Sequence, residues 1–190
     1  MPRTPAFDRD DVVARALFWE KGWAGTSTRD LSDALDLRPG SLYAAFGSKE
    51  GLFRAALDRH AAEQAAALAA AEAAHGPLGA LRALLEAAAW PAEGPARSCL
   101  LVKTLLETGA GRAPLSARAA ELLAEAETRF AAVFARAQAA GEVAARHDPA
   151  ALARRFQSDL TGLHALAERD AAGAAALAAE LSAALDMHAR

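Results

Sequence analysis

Apolar residues recur along this chain at the spacing of helices. Val12, Val13, Ala16, Leu17, Trp19 and Trp23 form a stripe of period 3.6 that Asp8 can cap and that Gly22 and Gly25 end. Ser27 with Asp30 reads as a capping box for a second helix, with Leu31, Ala34 and Leu35 inward at i, i+3, i+4. Asp36-Leu37-Arg38 makes a tight turn. Pro39 suits the first position of a third helix carrying Leu42, Ala45 and Phe46. Gly47 stops that helix, and Ser48 caps a fourth with Leu52, Phe53, Ala56 and Leu57 inward.

Beyond residue 60 the helical segments lengthen. The alanine tract from Ala61 to Ala74 reads as helix, because alanine is the best intrinsic helix former. Gly76-Pro77 marks a boundary before Leu78, Leu81, Leu84 and Leu85, and loops are expected at Pro91–Pro95 and Gly109–Pro114. A long helix with Leu122, Leu123, Phe130, Val133 and Phe134 ends near Gly141. Asp148-Pro149 caps the next, and Gly173 separates that one from the last. The expected fold is all-α with about nine helices. An N-terminal helix-turn-helix domain covers 1–57, and a helical domain covers 58–190.

Composition narrows the function less than the pattern does. The 190 residues carry a net charge of −3, and residues 1–60 hold nine Lys/Arg against nine Asp/Glu, so a nucleic-acid surface must be local. No long apolar run or signal-like N-terminus occurs, and a single cysteine, Cys99, excludes an internal disulfide. A cytoplasmic protein without membrane contact is expected. Enzyme chemistry finds little support. A di-iron bundle needs two Glu-x-x-His motifs, and Glu72-Ala-Ala-His75 is alone. No H-E-x-x-H, P-loop or C-x-x-C pattern occurs, so no catalytic residue, metal or cofactor is expected. A metal shared by His164 and Glu168 is less plausible than an ion pair on the helix surface.

The short third helix, RPGSLYAAF, carries the chemistry. Its apolar face is used up by Leu42, Ala45 and Phe46, leaving Gly40, Ser41, Tyr43 and Ala44 opposite. Such a face suits a DNA major groove: glycine permits close approach, hydroxyls reach phosphates, and a small apolar group can touch a thymine methyl. Lys49 adds a cation at a helix start, where free N–H groups already favour phosphate. The turn and recognition helix span about residues 36–46, with helix-turn-helix spacing.

The stretch LFWEKGWAGTSTRDLSDALDLRPGSLYAAFGSKEGLFRAAL closely resembles the N-terminal domain of TetR-family transcriptional repressors. The resemblance rests on Gly22, Thr26, Thr28 to Leu31, Gly40, Leu42-Tyr43, Phe46 and Ser48-Lys49-Glu50. It covers about residues 8–57. It implies that Thr28, Arg29, Ser41 and Tyr43 touch DNA, that Lys49 holds a phosphate, that Gly40 gives close approach and that Ala44 lies over base edges; Arg38 and Pro39 complete the candidate DNA-binding set. Arg38 stands where the family commonly has a small polar cap, and Asp36 where it often has glycine. Ala44 and Ala45 replace bulkier residues, which bears on base preference.

The resemblance further implies a homodimer that represses transcription by binding double-stranded operator DNA and is released by a small-molecule effector. Leu152, Phe156, Leu160, Leu163 and Leu166 line one late helix, and Leu177, Leu181 and Leu185 line the last. These stripes fit a dimer interface, and equally a monomer core. Candidate effector-pocket residues are Leu84, Trp90, Cys99, Leu101, Thr104, Phe130, Phe134, Phe156 and His164, each of which also suits plain core. Cys99, near Arg97 and Lys103, could serve a redox- or electrophile-sensing repressor, or be an inert buried thiol. A helical interaction module of this type without DNA binding is the alternative of a different class.

Overall fold

The structure is a computed structural model that describes residues 5–89, 99–109 and 114–187. The described residues form eight helices and no strand: α1 (Pro5–Gly25), α2 (Thr28–Leu35), α3 (Pro39–Phe46), α4 (Lys49–Ala89), α5 (Leu100–Thr108), α6 (Pro114–Ala139), α7 (Pro149–Ala167) and α8 (Ala171–Met187). The count is eight rather than about nine. Gly76-Pro77 breaks the run of α4 where the sequence places a boundary: Gly76 has the non-helical φ 74°, ψ 177°, and two helical segments meet there across a kink. That left-handed φ is open to glycine at little cost, and Pro77 then resumes the helix with its fixed φ. The expected loop at Pro91–Pro95 lies outside the described residues.

By compactness the chain divides into two units, Met1–Glu63 with Leu100–Leu122, and Gln64–Cys99 with Leu123–Arg190. This division by compactness falls inside α4 and α6, whereas the 57/58 boundary follows the extent of the motifs.

In the first unit the core is built on Ala14 and Phe18 of α1, Leu31 and Leu35 of α2, and Leu52, Phe53, Ala56 and Leu57 of α4, all buried. The Phe18 and Phe53 rings meet edge to face at 4.5 Å, and Trp23 stands 5.3 Å from Phe53. The phase of the first two stripes needs correction. Ala16 and Ala34 are exposed, while Phe18 and Ser32 point inward. Alanine carries too little apolar area to set the phase against a phenylalanine. Asp8 lies inside α1, which already begins at Pro5. Arg118 holds Asp58 at 2.7 Å, and Arg15 pairs with Glu63, tying α6 and α1 to α4.

The second unit has one continuous apolar core. It takes Leu78, Leu81 and Leu85 from α4, Phe130, Val133 and Phe134 from α6, Leu152, Phe156 and Leu163 from α7, and Leu185 from α8. Asp148 caps α7, accepting from the Ala150 N–H at 3.1 Å, and Pro149 opens the helix. The break between α7 and α8 lies before Gly173: Asp170 accepts from the Gly173 N–H at 2.8 Å and caps α8 there. Arg136 clasps Glu72 through both nitrogens of its fork, so Glu72 is occupied by an ion pair and its carboxyl is held below its ordinary range.

Candidate nucleic-acid interface

The helix-turn-helix is fixed by short-range chemistry. Ser27 Oγ accepts from the Asp30 N–H at 3.1 Å, and Asp30 Oδ2 accepts from the Ser27 N–H at 2.8 Å, completing the capping box. Lys21 Nζ donates to Asp30 at 2.6 Å. These bonds from Lys21 and then Ser27 hold the Asp30 carboxyl well below the usual carboxylate range. Asp36 ends α2 in the left-handed region (φ 53°, ψ 40°), its N–H donating to the Ser32 carbonyl. The short aspartate side chain tolerates that conformation better than most, which lets it replace the glycine often found there. Leu37 and Arg38 complete the turn, and Ser41 N donates to the Arg38 carbonyl at 2.9 Å as α3 begins.

The turn leaves α3 with Gly40, Ser41 and Ala44 exposed on one face. Arg38 is exposed beside them. On α2, Arg29 extends into solvent with its side chain 90% exposed, 3.8 Å from Asp33, while Thr28 is half-buried. The side chains of Pro39, Leu42, Tyr43 and Ala45 lie outside the described residues. Phe46 is half-buried at the end of α3.

Lys49 is placed differently from the sequence expectation. Its Nζ donates to the Trp23 carbonyl at 2.6 Å and lies 4.0 Å over the centre of the Trp23 ring. Burial pushes this ammonium below its ordinary pKa, while the charges of Asp30 and Glu107 pull the other way. In the free protomer the Lys49 ammonium is thus engaged by Trp23 at the start of α4.

Trp23 follows a break in α1. Gly22 has φ 73°, ψ 177° and is buried, and a Cβ there would stand 2.0 Å from Glu107 Oε1. Glu107 Oε2 accepts from the Trp23 N–H at 2.7 Å, and Lys103 Nζ donates to the Trp19 carbonyl at 2.8 Å. Thr26 Oγ1 donates to the Gly22 carbonyl at 2.6 Å. Glu107 and Lys103 come from α5, each eighty-four residues from its partner, and no local sequence signal announces them.

The remaining candidates divide between the two units. Leu101 and Thr104 are buried in the first, with Thr104 Oγ1 donating to the Leu100 carbonyl at 2.8 Å. In the second, Phe156 stands edge to face with Phe130 at 4.9 Å and with Phe134 at 6.2 Å, and Leu84 packs on the same core. Phe134 and Phe156 also border a pocket with Leu85, Leu152, Leu181, Arg155 and Asp159. His164 is half-buried, and desolvation lowers its pKa against the pull of Glu168. Trp90 and Arg97 lie outside the described residues. Cys99 is half-buried just before α5, and Lys103, the cation proposed to activate it, is engaged by α1 carbonyls. The leucine stripes close the protomer core: Leu152, Phe156, Leu163 and Leu185 are buried in it, and Leu160, Leu166, Leu177 and Leu181 pack against it. Among the described residues no group of three or more His, Cys, Asp or Glu could hold a metal, and no helix is long and apolar enough to cross a membrane.

Comparison with known proteins matches this geometry. Over 60 residues the chain is 48% identical to the HTH-type transcriptional repressor ComR of Escherichia coli (strain K12), a match covering 30% of this chain and 29% of ComR. The chain thus spans less than a third of that relative's length. Among solved structures, a TetR-family transcriptional regulator from Cytophaga hutchinsonii superposes with a TM-score of 0.85 at 21% identity, over 99% of this chain and 98% of that one. A cysteine mutant of the TetR-family regulator CifR, complexed with 26 bp double-strand operator DNA, is 31% identical with a TM-score of 0.76, covering 97% of this chain and 98% of CifR. The family model for bacterial regulatory proteins of the tetR family matches residues 12–56, and that for the tetracyclin repressor-like C-terminal domain matches 77–186. With the capped helix-turn-helix in place and both halves of the chain matched, this protein belongs to the TetR family of transcriptional regulators.

Proposed function

We propose that this chain is a sequence-specific DNA-binding repressor that acts as a homodimer on operator DNA and is released by a small-molecule effector. The observation that carries the reading is the exposed face of α3, Gly40, Ser41 and Ala44, presented by the Asp36–Arg38 turn, with the exposed Arg29 on α2. Arg29 and Arg38 supply phosphate contacts, Ser41 and Tyr43 hydroxyl contacts, and Thr28 the start of α2, with Pro39 setting the first turn of α3. Ala44 lies over base edges. Lys49 supports this surface from behind through Trp23. The DNA-reading part is residues 1–57, and residues 58–190 serve effector binding and dimerisation.

Among the described residues few cations face outward on this surface, so the affinity of one protomer is modest and a second reading head is needed. Helix-turn-helix dimers read half-sites about 34–36 Å apart. In support of a dimer, the outer faces of α7 and α8 carry small residues: Ala151, Ser158, Gly162 and Ala165 on one, and Ala172, Ala176, Ala179 and Ala183 on the other, all exposed in the protomer. Small side chains permit the short interaxial distances of tightly packed helices. The apolar core of the second unit, with Phe130, Phe134 and Phe156, favours an apolar effector over a charged one. Such a ligand must favour the conformation that does not bind DNA, since equal affinity for both releases nothing.

The test is titration of the protein into labelled duplex from its own upstream region at two salt concentrations, with random duplex as competitor. Competitor-resistant binding that weakens with salt supports the reading. Failure across a genomic duplex library overturns it.

A further inference from the structure

The break in α1 exposes backbone polarity that α5 answers with matched charge. Ending the regular helix at Gly22 leaves carbonyls near its C-terminal end and the Trp23 N–H without helical partners, groups that are costly to leave unpaired away from water. Lys103 brings a cation to the Trp19 carbonyl at 2.8 Å, the sign favoured at a helix C-terminus. One turn further along α5, Glu107 brings an anion to the Trp23 N–H at 2.7 Å. On the other side of the same residue, Lys49 of α4 takes the Trp23 carbonyl at 2.6 Å and covers its ring. Trp23 is therefore held from both ends, by α5 through its N–H and by α4 through its carbonyl.

This residue sits where the three reading helices converge. Thr26, three residues on, is tied back to the Gly22 carbonyl and leads directly into the Ser27 cap of α2. Lys49 stands three residues after the end of α3, and that end is pressed on α4: a Cβ at Gly51 would meet the Phe46 carbonyl oxygen at 2.2 Å. A displacement of Trp23 is felt by the start of α2 through Gly22–Thr26 and by the end of α3 through Lys49.

We infer that Glu107 is a positioning residue for the DNA-reading surface: by holding the Trp23 N–H opposite Lys49 it fixes the seat of α3, although it lies on α5 and itself faces no nucleic acid. The inference rests on the DNA-binding reading for its purpose, but not for its geometry. Glycine at position 22 follows from the same clamp, because any side chain there would displace the Glu107 carboxylate as well as strain the backbone.

The experiment compares Glu107→Ala, Glu107→Gln and Leu106→Ala in the full chain. Gln keeps an oxygen acceptor, and Leu106 is 81% exposed on the same helix and serves as the control. Amide hydrogen exchange without DNA is read first. Glu107→Ala is expected to speed exchange at Trp23 and across α3 at least tenfold, with the buried centres of α4 and α6 unchanged, and Glu107→Gln to restore most of the protection. Operator affinity is then expected to fall about tenfold in Glu107→Ala while binding to random duplex at low salt is kept. Unchanged exchange in α3, or equal acceleration throughout the chain, overturns the inference. Should Glu107→Ala not fold, Glu107→Asp, whose carboxylate is one carbon shorter, is read in its place. If the parent protein binds no duplex, the repressor reading fails while the exchange result still decides the clamp.

Discussion

Ser27 and Asp30 cap each other: the Ser27 hydroxyl takes the Asp30 N–H, and the Asp30 carboxylate takes the Ser27 N–H. Because Lys21 adds a third bond, the carboxylate is favoured in its charged form and its pKa is depressed. A depressed folded-state pKa contributes stability that is complete above the unfolded value, about 4, and is lost as pH falls through the folded value. Ser27→Ala is expected to cost about 1 kcal/mol. Asp30→Asn is expected to be less stable than the parent at pH 7, with the gap closing in acid below about pH 4. Urea unfolding followed by circular dichroism across pH 2–7 checks both, and a gap independent of pH would remove the carboxylate from the account.

Phe18 is fully buried against Phe53 and was the residue that the sequence stripe left out. Truncating it to alanine removes ring packing and leaves a cavity, at a cost of about 3–5 kcal/mol. Thermal unfolding should show a marked drop for Phe18→Ala and a shift near zero for Ala16→Ser at the exposed neighbour.

Arg29 and Arg38 project into solvent. If each neutralises one phosphate, the slope of log affinity against log salt should become shallower by about 0.9 per arginine replaced by alanine. Binding isotherms at four salt concentrations measure this. A parallel loss of affinity at all salts with the slope intact would assign these residues a structural role instead.

Ala176 is exposed on α8 within the protomer, so a charged side chain there leaves the fold within about 0.5 kcal/mol. Ala176→Glu is expected to halve the mass measured by sedimentation from that of a pair of 19.7 kDa chains and to weaken operator binding with it. A variant that stays dimeric would move the interface off the small-residue face.

Legibility followed the range of the interactions. The α2 cap, the Asp36 turn and the Ser48 start of α4 were readable because each is settled by residues within four positions. The phase of alanine-rich stripes was not: Ala34 satisfies the same spacing as Leu35 yet faces water, since neighbours from other helices choose the buried side. The boundary before α8 is set by Asp170, whose carboxylate caps the helix, while Gly173, the stronger breaker by composition, lies within it.

By itself the sequence determined the helical class, the helix-turn-helix and the chemistry of its exposed face, because propensity, capping and periodicity act locally. Only the tertiary structure decided what Lys49 and the leucine stripes do. Lys49 meets Trp23 twenty-six residues back, Glu107 meets the same residue eighty-four residues back, and the stripes on α7 and α8 close the protomer core. Which partner a long side chain takes depends on elements brought together from distant parts of the chain, and periodicity gives a buried face without naming what covers it.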